Sequence, residues 1–104
     1  MPVERTFSRP GFGSVVSGIP VDGSIAVGGQ VELMPGGRVG RIRAMQRFGH
    51  DAQAGRYGQC LALNIPDFSK NPPERGQVLC VPGSLRAARI VHVALKAAPG
   101  LAKP

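Results

Sequence analysis

PGFGSVVSGIPVDGSIAVG, residues 10–28, decides the fold of this chain. Gly11-Phe12-Gly13 admits a strand, Asp22-Gly23 reverses it, and Gly28-Gly29 closes a second short apolar segment. Glycine supplies positive φ at turns, and Asp-Gly is a strong hairpin signal. Between these breaks Val15, Val16, Ile19, Ile25 and Val27 favour extended backbone. Short strands punctuated by glycine predict an all-β fold, a small closed antiparallel barrel.

The same reading extends in both directions. Residues 3–8 form a first strand with Val3, Arg5 and Phe7 on one face, and Phe7 is placed in the core with Val3. Residues 12–19 form the second strand. Residues 30–34 alternate, Val31 and Leu33 inward, and Pro35-Gly36 suits the centre of a type II turn. Residues 38–48 are read as one long strand, with Ile42, Ala44 and Phe48 on its apolar face and Arg41, Arg43, Met45 and Arg47 opposite. Gln46 falls on the apolar side as a bulge or rim position. Residues 49–55 are a loop, 59–65 a strand with Leu61, Leu63 and Ile65 inward, 66–76 a polar connection with one helical turn, and 77–81 the last strand. Pro82-Gly83 marks a boundary: 1–83 is one barrel domain, and 84–104 a linker or the start of a next domain. There residues 86–95 are strand-capable and 99–104 a frayed tail. The first strand begins almost at Met1, as in an excised domain or in a natural short chain.

A chain of 104 residues suits one domain with a modest core. Without Trp, and with four Phe and one Tyr, that core is mainly aliphatic. The net charge is +7, and ten of the thirteen cations are Arg. Arg presents a planar fork to phosphate and carboxylate, so a polyanionic partner is one reading of the charge. A solvated surface shaped by coding bias is the other. Cys60 and Cys80 lack metal-pair spacing with each other or with His50 and His92, and are read as buried free thiols of a cytoplasmic protein. No apolar run is long enough to span a membrane. Lys70, Lys96 and Lys103 none follow glycine, so no P-loop is present, and Gly11 and Gly13 lack the third glycine of a dinucleotide fingerprint. No nucleophile, base and acid set can be proposed, and the chain is not expected to be an enzyme.

Four blocks, VERTFSRPGFGSVVSG, DGSIAVGGQVELMP, RIRAMQRFGHDAQAGRYGQCLALNI and ERGQVLCVPG, occur in register across residues 3–83. Together they resemble domain II, the β-barrel that follows the G domain in translational GTPases of the elongation factor Tu superfamily. The runs Arg41-Ile42-Arg43-Ala44-Met45-Gln46 and Ala62-Leu63-Asn64-Ile65, with the short loop holding His50, are most similar to the selenocysteine-specific branch.

The resemblance implies that a separate G domain binds GTP and magnesium, with no cofactor in this chain. It implies that this domain helps hold the aminoacylated 3′ end of selenocysteinyl-tRNA, with the G domain and ribosome as further partners. Glu4, Arg5 and Phe7 match the first-strand motif, and Gly11, Val15 and Ser17 match positions around the terminal adenosine; Gln46 belongs to the same set. A selenol is largely ionised at neutral pH and a serine hydroxyl is not, so cations around the amino acid favour the selenocysteinyl form. Each charge-assisted contact contributes about 1–3 kcal/mol. Arg5 and His50 match that role. Where the family carries Arg after Ala-Gly-x, this chain has Tyr57, with Arg56 one residue away; neighbouring strand residues point to opposite faces. Two other readings remain open: a structural docking barrel of another translational GTPase, and a free-standing RNA-binding β-barrel using its Arg face.

Overall fold

A computed structural model of the chain describes residues 1–84. Ten short strands and one 3-10 turn follow in order: β1 (Arg5–Arg9), β2 (Gly13–Gly18), β3 (Ser24–Ala26), β4 (Gln30–Met34), β5 (Arg38–Arg41), β6 (Ala44–Arg47), β7 (His50–Asp51), β8 (Ala54–Arg56), β9 (Leu61–Asn64), the turn Pro66–Phe68, and β10 (Val78–Cys80). All described pairings of these strands are antiparallel. Five strands form one sheet in the order β1-β2-β9-β6-β7, three form a second in the order β10-β4-β5, and β3 pairs with β8. The expected strand at 86–95 and the tail at 99–104 lie outside the described residues.

The core is aliphatic, as the composition requires. Val16, Leu33, Ile42, Leu61, Leu63, Ile65 and Leu79 are fully or almost fully buried around Phe68, the aromatic of the 3-10 turn. Val31 and Leu33 face inward from β4, and Leu61, Leu63 and Ile65 face inward from β9 and the residue after it, as alternation predicts.

Residues 38–48 are not one strand. The chain breaks after Arg41, and Ile42 is held by backbone bonds on both sides: its N–H donates to Gly29 O, and its carbonyl accepts from Gly28 N–H. Arg43 N–H then donates to Asn64 O, which hands the chain from the β4 side to β9. The break shifts the alternation by one residue. Met45 is therefore buried, whereas Phe48, read as apolar-facing, is exposed. The expected loop at 49–55 is also structured. Phe48 (φ 51°) and Gly49 (φ 80°) make a two-residue reversal that pairs Arg47 with His50, and β8 follows directly.

Three further expectations change. Val3 is buried but belongs to a lead-in whose N–H donates to Gln77 O, while Phe7 of β1 is 37% exposed and lies outside the core. The reversal after β4 contains a cis Met34–Pro35 bond and closes through Gly37 N–H to Leu33 O, not as a type II turn on Pro35-Gly36. Cys60 is exposed and Cys80 only half-buried, and both are free. The Arg9–Phe12 reversal does fit a type II turn, with Gly11 at φ 80° and Phe12 N–H donating to Arg9 O at 3.0 Å.

The β1–β2 hairpin is tied to β9 by Asn64. This side chain is 4% exposed, and its amide Nδ2 donates to both Phe12 O and Ser14 O. Replacing Asn64 by Ala should cost about 1–3 kcal/mol, because both carbonyls lose a buried donor. Asn64→Asp should cost more at neutral pH, where a carboxylate would face two carbonyl oxygens; urea unfolding that ranks Asp above Ala would contradict this donor role. A Cβ on Gly40 would stand 2.6 Å from Ile65 Cγ2 and 3.0 Å from Phe68 Cζ. Gly40→Ala should therefore lower the urea midpoint by the equivalent of about 1–3 kcal/mol, with an unchanged slope.

Candidate functional site

Directly paired residues of antiparallel strands share a face, so the register shows what the outer side of the five-stranded sheet presents. One row runs Phe7, Val15, Asn64, Ala44 across β1, β2, β9 and β6. The next runs Arg5, Ser17, Ala62, Gln46, Asp51 and reaches β7. The intervening row, Thr6, Val16, Leu63, Met45, faces the core. Two short rows of mixed aromatic, aliphatic, amide and charged groups thus lie side by side on the outside of a packed sheet.

A groove of about 480 Å³ opens on this face. Phe7, Phe12 and Val15 supply its apolar wall, Gln46, Gln53 and Asn64 its amides, Arg9 and Arg43 its cations, and Asp51 its carboxylate. Gln46 Nε2 lies 3.4 Å from Asp51 Oδ1, which orients the amide along the groove. Arg9 sits over the Phe12 ring, 5.2 Å from its centroid, and Arg5 over Phe7 at 5.6 Å. Each pair is a flat cation resting on an exposed ring, the kind of surface on which a nucleobase stacks. Asn64 Oδ1 is buried with no hydrogen-bond partner among the described residues, while its Nδ2 donates to the hairpin carbonyls.

The sequence-derived site residues divide into two groups. Phe7, Val15 and Gln46 line the groove. Arg5 and Ser17 face each other on the same outer side, in the row of Gln46 and beside that of Phe7 and Val15, and Ser17 Oγ donates to Arg5 O. Glu4 leads into β1, its N–H bonded to Ser17 O, and Gly11 forms the hairpin turn beside Phe12. The remaining three are elsewhere. His50 pairs with Arg47, which pairs with Leu61 and so continues the core-facing alternation of Met45, beyond the edge of the core. Arg56 ends β8 opposite Ser24, and Tyr57 N–H donates to Gly23 O; neither lines the groove.

Arg9, Phe12, Arg43 and Asn64 complete the groove and were absent from the sequence-derived set. Arg9 was legible as the residue two beyond Phe7 on the same strand face. Asn64 was legible as a polar residue within the apolar run Leu61–Ile65. Arg43 was legible only as one cation of the Arg41, Arg43, Arg47 face, because its separate position depends on the strand break beside it. The expected Arg41, Arg43, Arg47 stripe is divided: Arg41 donates to Gly28 O and Arg47 to Ala54 O, whereas Arg43 turns to the groove.

A second cleft, of about 690 Å³, lies between β3, β4, β10 and the N-terminal lead-in. Met1, Pro20, Val21, Ile25, Val31 and Leu79 contribute to its lining, and its described lining holds no Arg, Lys or aromatic side chain. It suits apolar contact, and the groove on the five-stranded sheet suits a partly charged, planar ligand.

No protein-family model matches the chain. It is 34% identical over 85 residues to the selenocysteine-specific elongation factor of Desulfomicrobium baculatum, a match over 82% of this chain and 13% of that protein. Among solved structures it resembles a bacterial selenocysteine-specific elongation factor, EF-Sec, with a TM-score of 0.71 and 30% identity over 78% of this chain and 14% of that one. It also resembles the apo form of elongation factor SelB from Methanococcus maripaludis, with a TM-score of 0.67 and 27% identity over 76% of this chain and 17% of that one. The chain thus spans less than a fifth of the length of these relatives. Sequence and fold agree: the chain is a SelB-like domain, homologous to a segment of the selenocysteine-specific elongation factors.

Proposed function

We propose that this chain is the domain II barrel of a selenocysteine-specific elongation factor, and that its outer-sheet groove receives the terminal adenosine of selenocysteinyl-tRNA. The observation that carries the reading is the convergence of Phe7, Val15 and Gln46, distant in sequence, in one groove. An exposed ring and an aliphatic floor suit a stacked base, and oriented amides suit its polar edges. The closed form of the barrel is supported by a circuit of backbone bonds. Met1–Val3 bond to Gln77 and Leu79, β10 leads through β4 to β5, and Ile42–Arg43 carry the chain to β6 and so back to β1. The domain is read as residues 1–83, with 84–104 leading onward.

In this role the chain catalyses nothing itself. GTP and magnesium belong to a separate G domain, and the barrel presents the aminoacylated tRNA end to it on the ribosome, in the cytoplasm. Arg5 is the cation assigned to the aminoacyl group, since on the outer face it shares a row with Gln46 and lies beside the row of Phe7. His50, Arg56 and Tyr57 are not on the groove's sheet face, whereas Arg5 borders the groove on that face over the Phe7 ring, so selenolate selection by this domain rests on Arg5. The apolar cleft beside β3 and β10 supports the second reading, a surface docked against another domain; the two roles use different faces.

In the parent factor, Arg5→Ala should reduce the preference for selenocysteinyl- over seryl-tRNA about tenfold, the equivalent of one charge-assisted contact. The check is a pair of equilibrium titrations with the two aminoacyl-tRNAs at fixed salt. An unchanged ratio would remove Arg5 from the selective pocket.

A further inference from the structure

Two sets stand out among the arginines of the described region. Arg38, Arg41 and Arg47 each donate a guanidinium N–H to a backbone carbonyl, of Asn71, Gly28 and Ala54 respectively. These side chains brace the fold. The guanidinium groups of Arg9 and Arg43 make no hydrogen bond or ion pair among the described residues, and both are exposed and line the groove. Arg9 closes β1 at the edge of the sheet, and Arg43 immediately precedes β6, three strand intervals away. At the usual spacing that is about 14 Å, with Gly13 and Asn64 between them. Both are anchored at the backbone. Arg43 N–H is bonded to Asn64 O, and the Arg9–Phe12 turn is pinned through Phe12 O to the Asn64 amide.

Arg43 also lines a shallower furrow with Gln30, Val39, Gly40, Pro66 and Asp67, so it stands where the groove opens onto that second surface. A nucleotide seated between Phe7 and Gln46 must send its 5′ phosphodiester out of the groove past one of these mouths. We infer that Arg9 and Arg43 are the anion clamp for that phosphodiester, fixing the RNA strand that enters the groove. Arg suits this role because its planar fork meets two phosphate oxygens at once. The inference rests on the groove being the seat of a terminal nucleotide.

The test uses the 104-residue chain and a 5′-labelled single-stranded RNA tetranucleotide ending in adenosine, with affinity read by fluorescence anisotropy across a salt series. Arg9→Gln and Arg43→Gln should each weaken binding about three- to tenfold at low salt. Each should also reduce the slope of log affinity against log salt by about 0.7, the share of one phosphate contact on a single strand. Arg43→Lys should restore the slope, which loss of a purely structural contact would not do. Phe7→Ala should weaken binding with the slope unchanged. If Phe7→Ala weakens binding while both Gln variants keep wild-type affinity and slope, the groove stands and the clamp is wrong. If none of the variants alters binding, the seat itself is elsewhere and the clamp falls with it.

Discussion

Ile42 and Arg43 carry the constraint on which the rest of the structure depends. Ile42 is buried, with both backbone polar groups bonded to the Gly28-Gly29 corner, and Arg43 N–H is bonded to Asn64. A buried backbone group without a partner costs as much as a lost hydrogen bond, so this crossing has little freedom. It joins the three-stranded sheet to the five-stranded sheet, and it sets the phase of everything after it. Because the alternation shifts by one residue, Met45 enters the core and Ala44 and Gln46 face out. Without that shift Gln46 would be buried, and the groove would lose an amide.

Asn64 extends the same constraint to the hairpin. Its backbone carbonyl receives Arg43, and its side chain holds Phe12 and Ser14. One residue thus sets the relation between β9, the crossing and the turn that carries Arg9 and Phe12. Groups for stacking, hydrogen bonding and charge come from three segments far apart in sequence, yet they are referred to a single buried side chain. A site built this way is preorganised, so less ordering entropy is lost when a ligand binds.

Much of this was legible in the residues alone. The glycine breaks of 10–28, the Gln30–Met34 alternation and the apolar run at Leu61–Ile65 all obey local rules, and the all-β class follows from them. Phe7 was misassigned because period-two alternation groups residues by face without saying which face is inside; Val3 is buried by the lead-in's pairing with the β10 segment, not by β1. Residues 38–48 were misread for a related reason: an unbroken apolar and cationic alternation does not reveal a long-range bond to Gly28-Gly29. The groove was half legible. Phe7, Val15 and Gln46 came from family resemblance, Arg9 was one strand period away, and Arg43 was visible as one cation of the Arg face but needed the tertiary crossing to part it from Arg41 and Arg47. His50, Arg56 and Tyr57 are near the motif in sequence but lie on other faces, which sequence proximity cannot distinguish.

The central claim is that the outer face of the five-stranded sheet, rather than the apolar cleft beside β3 and β10, meets RNA. The most direct measurement is the amide correlation spectrum of the chain titrated with a short RNA ending in adenosine. Shifts should gather on Phe7–Val15, Arg43–Gln46 and Ala62–Asn64. Shifts gathered instead on Ile25, Val31 and Leu79, or on Arg56 and Tyr57, would contradict it.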